Sequence, residues 1–459
     1  MSATGQRGRA PDITVVMASH AEGDILISTL AGFERMRRHA AVHGIAVRLV
    51  LVADRATAAS KAAFVRALDE GVLSAAHVDA FDVDFGSGSM ARNAGVERAT
   101  GRYVAIADSD NIFSENWLTE AFHTAERLGP GAIVHPAIVR NFDQDDTTWA
   151  GWSSNHPVIR PWLLAVHNFW DASCLARRDA FRDVPYPRSG PAFGLGPGDW
   201  WWNLDALAAG YTHEVAPETV FYYRVKSSGS NVTLSSVRSL VGPTPFLRDP
   251  AIAADALAAA GETADAWEQI AAEAHRTERA LTPAILADWA DAHRIEPLIP
   301  HPAEEVVPTE LPLGVYAGKT RYATLYWAIM SHLVGGFDVM ALVGSSEAAT
   351  ALLADWSSRE PASSVAVLVL DESAPHAARP GGFPLPAPLA GPFGERGTVI
   401  AAGGLEGGVI GEPDLVELLG RVVIQSGAGR VWFGEHPVAR AVASRYATAL
   451  ATVTTVLDG

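Results

Sequence analysis

Asp108, Ser109 and Asp110 follow the apolar run Tyr103 to Ala107 (YVAIA) without a break. Two carboxylates two residues apart at a strand end are hard oxygen donors, suited to Mn²⁺ or Mg²⁺ shared with a substrate's phosphates. An ion held there can neutralise a departing diphosphate. Asp, Ser and Asn also favour caps and turns, and on the tripeptide alone a cap is the better reading. The surroundings reverse that preference. Residues 86–111 read GSGSMARNAGVERATGRYVAIADSDN, a Gly/Ser loop opening a helix that carries Arg92, then a strand, then the acidic motif. Backbone N–H groups at such a helix start bind phosphate, and Arg92 adds a charge.

Three other groups carry chemistry. Asp199 heads the run DWWWN; it suits a helix N-cap, and the indoles around it would raise its pKa by desolvation. Trp200 and Trp201 offer flat apolar platforms for the C–H face of a sugar. Arg224 and Lys226 lie in YYRVKSSGS, two cations ahead of a Ser/Gly segment of the kind that closes over a ligand. His167 and Asn168 are weaker candidates to line a pocket.

These residues need a frame. Residues 13–17, 47–52, 78–83 and 103–107 read as strands, with helical segments over 24–43, after the second strand through about residue 70, and over 89–100. Such alternation predicts a mostly parallel sheet covered on both faces. Between 131 and 240 periodicity is poor and Trp, Pro and Gly are dense, which reads as long functional loops. Residues 250–296 read as Ala-rich connecting helices and 297–312 as a Pro-rich linker. Apolar runs at 313–316, 338–343, 365–370, 398–402 and 430–433 then restart an alternating pattern, a second and smaller α/β domain. Ala323 to Val343 is interrupted by Ser331, His332, Gly335, Gly336 and Asp338, so it reads as a buried helix, turn and strand rather than a membrane span. Glycines after the second-domain strands complete no dinucleotide fingerprint, and residues 313–459 receive no chemistry.

The chain has 459 residues and a formal net charge of −17. Its length suits two or three domains, and its acidity argues against nucleic-acid binding driven by bulk charge. A single cysteine, Cys174, allows neither an intrachain disulfide nor a Cys-based zinc site. The first residues show no apolar stretch of signal-peptide type. A cytoplasmic location is expected, with peripheral contact at the inner face of a membrane left open.

Residues 12–118 resemble the nucleotide-binding half of a GT-A fold glycosyltransferase of the family 2 type. The matching pieces are ITVVMASHAEGD, VRLVLVAD, the block from Gly86 to Asn111 and the trailing NWL; the likeness resumes over 198–230. It implies a Rossmann-like GT-A domain over 1–248, to which the pattern of the remaining chain adds a helical connector and Pro-rich linker over 249–312 and a C-terminal α/β domain over 313–459. It implies a UDP- or GDP-sugar donor, Mn²⁺ or Mg²⁺ on Asp108 and Asp110, and a glycan, lipid-linked or small-molecule acceptor. Asp54 matches the family acid that reads the nucleotide base, and Ala18, His20 and Glu22 stand in the first nucleotide-contacting loop. Asp199 matches the general base of an inverting single displacement, and Arg224 and Lys226 match positions near the diphosphate. The chain departs from the family at Gly198, where a Glu is usual, and at Lys226, where some relatives have a metal-binding His. Two alternatives stay open: a non-catalytic nucleotide- or sugar-binding protein of this fold, and a sugar-1-phosphate nucleotidyltransferase. Homo-oligomerisation is likewise left open.

Overall fold

The structure, a computed structural model, describes residues 10–144, 148–156, 159–226, 240–259, 313–360, 362–371, 387–389, 397–402 and 412–457. Strands β1 (Ile13–Ser19), β2 (Val47–Asp54), β3 (Val78–Val83) and β4 (Tyr103–Asp108) are parallel, in the order β3-β2-β1-β4. Helices α1 (Ile25–Val42), α2 (Ala58–Asp69) and α3 (Gly88–Arg98) connect them. β1 and β4 are nearly continuous in apolar residues because both faces are covered. One face packs Leu30 and Phe33 of α1, the other Ala91 and Val96 of α3. Gly95 lets α3 lie close to the sheet: a Cβ there would sit 2.3 Å from Cγ1 of Val16. That approach brings Arg92 to the strand ends.

Beyond β4 the sheet becomes mixed. The elements are β5 (Ile112–Phe113), α4 (Trp117–Leu128), β6 (Ala132–Asp143), β7 (Thr148–Ala150), β8 (Cys174–Arg177), α5 (Arg178–Asp183), α6 (Gly198–Ala208) and β9 (Thr212–Val225). The full order is β3-β2-β1-β4-β8-β6-β9-β5, with β7 on β6. The stretch from 131 to 240 is therefore not chiefly loops; it holds the two longest strands, of 12 and 14 residues. Their pairing is interrupted by a register irregularity between Pro136 and Ile138, opposite Ala216 and Val220.

The second sheet has the order β12-β13-β11-β10-β14-β15. Its strands are β10 (Val339–Val343), β11 (Val365–Val369), β12 (Ala387–Pro388), β13 (Gly397–Ala401), β14 (Arg430–Phe433) and β15 (Thr455–Leu457), parallel except for β12. Around it lie α7 (Pro250–Ala259), α8 (Leu313–Met330), α9 (Ser346–Arg359), α10 (Glu412–Gln425), α11 (Pro437–Arg445) and α12 (Ala447–Val453). The run at 313–316 opens α8 instead of forming a strand, since four apolar residues do not distinguish the two. The expected connecting helices between 260 and 296 and the expected linker at 297–312 lie outside the described residues. No helix among the described residues is long and apolar enough to cross a membrane. The two sheets share one core: Leu164, Trp200 and Leu247 pack in the same cluster as Trp327, Leu342 and Leu419.

Candidate functional site

The parallel strands end together at one edge, and the register places Ala18 of β1 beside Asp108 of β4. The Asp108 carboxylate receives Nη2 of Arg92 at 2.6 Å. Asp110 is paired through Oδ2 with Nζ of Lys226 at 2.5 Å. β9 delivers that lysine, because its far end pairs with β5 just after the acidic motif, Ile112 opposite Tyr222. Arg224 is seated from the same strand: its N–H donates to Oδ1 of Asn111 at 2.8 Å and its Nε to the Asp110 carbonyl at 3.0 Å. Its guanidinium lies 4.5 Å over the Phe142 ring. The fold thus gathers Arg92, Asp108, Asp110, Arg224 and Lys226 from α3, β4, the β4–β5 turn and β9. Burial pushes the Asp110 carboxyl above the ordinary carboxylate range, helped by Asp108 and opposed by Lys226. Burial works against the charge on Arg92, yet Asp108 and Tyr186 keep it firmly protonated. Ser109 is buried within the turn between the two acids.

The first-strand loop is held locally. Oε2 of Glu22 accepts from the Ser19 hydroxyl and from the His20 N–H, both at 2.8 Å. His20 Nδ1 lies 2.8 Å from the Asp54 carbonyl. The Asp54 carboxylate itself binds three backbone N–H groups: Phe85 and Gly86 on Oδ1 at 2.8 and 2.9 Å, and Ser87 on Oδ2 at 2.8 Å. In the structure this acid holds the loop that opens α3. Without it three backbone N–H groups, of which that of Ser87 is buried, would lose a charged acceptor.

Asp199 lies in the first turn of α6. Its Oδ2 accepts from Nδ2 of Asn168 at 3.0 Å. Asn168 is itself fixed, since its Oδ1 accepts from Nδ2 of Asn203 at 3.1 Å. Burial raises the Asp199 carboxyl above the ordinary range, against the pull of Arg92. Arg92 therefore serves two acids, Asp108 by direct contact and Asp199 through its field.

Sequence reasoning missed one member of the group. Asp171 precedes β8, whose antiparallel pairing with β4 sets Cys174 opposite Ile106. Continuing that register carries residues 171–172 toward Asp108. Burial pushes the Asp171 carboxyl up to about 7, with Asp108 and Asp199 adding to the shift. Its Oδ1 accepts the Ser173 N–H at 2.9 Å. Nothing in the local sequence marks this acid, because its place depends on β8 being inserted beside β4.

The structure corrects one assignment and explains a departure. Trp200 is not a sugar platform: it is 4% exposed, its Nε1 donates to the Leu164 carbonyl at 2.9 Å, and the Arg421 guanidinium lies 5.2 Å over its ring. Trp201 is turned to the shared core, where a Cβ on Gly242 would fall 2.0 Å from its ring. At Gly198 a Cβ would lie 2.2 Å from Oγ of Ser89 and 2.3 Å from Oγ of Ser189. Those hydroxyls bond each other at 2.7 Å and occupy the space a glutamate would need.

Among the described residues no three His, Cys, Asp or Glu side chains converge as a ready metal cage. Asp108 is engaged through Oδ1 and Asp110 through Oδ2. Two hard carboxylate donors fit an ion whose remaining ligands are water and substrate phosphate.

Comparison with known proteins finds a family match over part of the chain. Residues 14–184 match the family described as Glycosyl transferase family 2. The succinoglycan biosynthesis protein ExoM of Rhizobium meliloti (strain 1021) is 28% identical over 93 residues, 20% of this chain and 30% of that protein. The chain thus aligns with less than a third of that relative's length. Among solved structures, residues 1–349 of S. aureus TarS in complex with UDP-GlcNAc align at a TM-score of 0.39 and 14% identity, covering 71% of this chain and 86% of that one. S. aureus TarS as a longer chain aligns at 0.36 and 12%, covering 70% and 49%.

Proposed function

We propose that the chain, whose residues 14–184 match the family described as Glycosyl transferase family 2, moves a sugar from a nucleotide-diphosphate sugar to an acceptor hydroxyl with inversion. The observation that carries this reading is the convergence of Asp108, Asp110, Arg92, Lys226 and Asp199 at one sheet edge. Asp108 and Asp110 would hold Mn²⁺ or Mg²⁺, which neutralises the departing diphosphate when bound. Arg224 and Lys226 lie on the β9 side of the acidic motif, where their charges stabilise the phosphate oxygens. Lys226 must leave Asp110 to reach them. Ala18, His20 and Glu22 shape the nucleotide side, and Asp54 keeps the α3 loop in place beside it.

Asp199 takes the proton of the acceptor hydroxyl, which attacks the anomeric carbon. A free hydroxyl is a poor nucleophile near neutral pH, and a carboxylate with a raised pKa is a better base than an exposed one. Asn168 aims that carboxylate. Asp171 lies within the field of both Asp108 and Asp199, where it faces sugar hydroxyls as a hydrogen-bonding group.

The donor half of the reading is tested by calorimetric titration with UDP and GDP, each with and without Mn²⁺. One nucleotide is expected to bind in a metal-dependent way, and Asp110→Ala is expected to weaken that binding at least about 100-fold. Equal binding with and without metal would remove the ion from the site. No binding of either nucleotide would remove UDP- and GDP-sugars as donors.

A further inference from the structure

The second domain reaches the acceptor side of the first with side chains that bond main-chain carbonyls. Nη1 of Arg421 on α10 donates to the Ala165 carbonyl at 2.8 Å. One turn on, Nε2 of Gln425 donates to the carbonyls of Val241 and Gly242 at 2.9 and 2.7 Å, and its Oε1 accepts from the Thr244 N–H at 3.1 Å. Nε1 of Trp327 on α8 donates to the Trp162 carbonyl at 2.9 Å. The segments grasped, 162–165 and 241–244, are the ones that flank α6.

Arg421 has the most telling position. It is 7% exposed, and its Nη2 is neutralised by Oε1 of Glu417 at 2.8 Å on the same helix. Its guanidinium touches both halves of the Asp199 arrangement. One contact is the face of Trp200, the residue after Asp199. The other is the Ala165 carbonyl, three residues before Asn168, the donor to Asp199. Trp200 ties the two together by donating to Leu164. Taking a guanidinium out of water is costly, and an apolar residue of similar volume would often pack such a junction with equal stability. The planar fork fixes geometry that a point charge or an aliphatic chain does not.

We propose that Arg421 is a positioning residue for Asp199, and that the second domain serves the transferase by holding the 161–168 segment and α6 in register. This rests on the reading of Asp199 as the acceptor base. Arg421 touches no reacting group; it acts through Trp200, Ala165 and Asn168.

The test compares Arg421→Met, Arg421→Lys, Asn168→Ala and the double variant Arg421→Met/Asn168→Ala in the full chain. Release of nucleoside diphosphate from UDP- and GDP-sugars gives kcat and the donor KM. Arg421→Met is expected to lower kcat about 30-fold, within what a misplacement of about an ångström costs, with donor KM changed less than about twofold. Arg421→Lys is expected to recover part of the loss. The double variant is expected to be no slower than the slower single one, because both changes break one chain of contacts. A second readout needs no turnover: the ¹³C carboxyl titration of Asp199 in aspartate-labelled protein, assigned with Asp199→Asn. It is expected to rise by roughly one pH unit in both Arg421→Met and Asn168→Ala, as when a carboxylate loses a hydrogen bond. A lowered melting temperature with unchanged kcat and an unmoved Asp199 titration would overturn the proposal, as would additive losses in the double variant. Absence of nucleoside diphosphate release by the wild-type chain would count against the transferase reading, and the titration would still decide the link from Arg421 to Asp199.

Discussion

Asp199→Asn is expected to lower turnover about a thousandfold while nucleotide affinity stays within about twofold of wild type. The amide keeps the shape of the side chain and its place in the first turn of α6, but it cannot accept a proton. Asn168, which donates to Oδ2, can still be met by the amide oxygen, so the fold should tolerate the change. A carboxylate base works only when ionised. Burial holds its pKa above the ordinary carboxylate range, so turnover falls as the pH drops through that raised value. The acidic limb of the pH profile should vanish in the variant, whose residual rate comes from the diphosphate side alone. A variant that retains more than about a tenth of wild-type turnover would take the proton-transfer role away from Asp199.

The second large effect is expected at Arg92. Its guanidinium is 15% exposed, and the Asp108 carboxylate it pairs with is 26% exposed. Arg92→Met leaves that carboxylate without its partner, which costs about 3 kcal/mol in comparable buried pairs. The same change removes the charge that holds the Asp199 pKa down, so the acidic limb of the rate profile should move to higher pH. Urea unfolding reads the first consequence and the pH profile of turnover reads the second. A stability loss under about 1 kcal/mol together with an unmoved acidic limb would show that Arg92 does not organise the two acids.

The parallel half of the fold is legible in the sequence because buried strands and their helices carry their own period. The run from Gly86 to Asn111 fixes helix, strand and acidic turn in one stretch, so Arg92, Asp108 and Asp110 could be assigned together. The mixed half is not legible in that way. β6 hides behind Pro136 and a register shift, and Asp171 joins the site only because β8 inserts next to β4. Three consecutive tryptophans read alike whether they face a sugar or a core; Trp200 faces the core because Arg421 of the second domain covers it. Arg421 contacts Ala165 across 256 positions of chain, and no local pattern announces such a contact. Asp54 stands where the sequence places it, at the end of β2, while its hold on residues 85–87 needs the turn geometry of the α3 loop.

The most direct measurement follows the anomeric proton of the released sugar. The chain, Mn²⁺ and α-linked UDP- and GDP-sugars are mixed, and the first product is recorded by ¹H NMR before mutarotation, with water standing in for the acceptor. If Asp199 activates a nucleophile on the face opposite the diphosphate, the sugar first appears as the β anomer, and Asp199→Asn suppresses its appearance. A first product in the α configuration, or equal release by the Asp199→Asn variant, would contradict a single inverting displacement with Asp199 as its base.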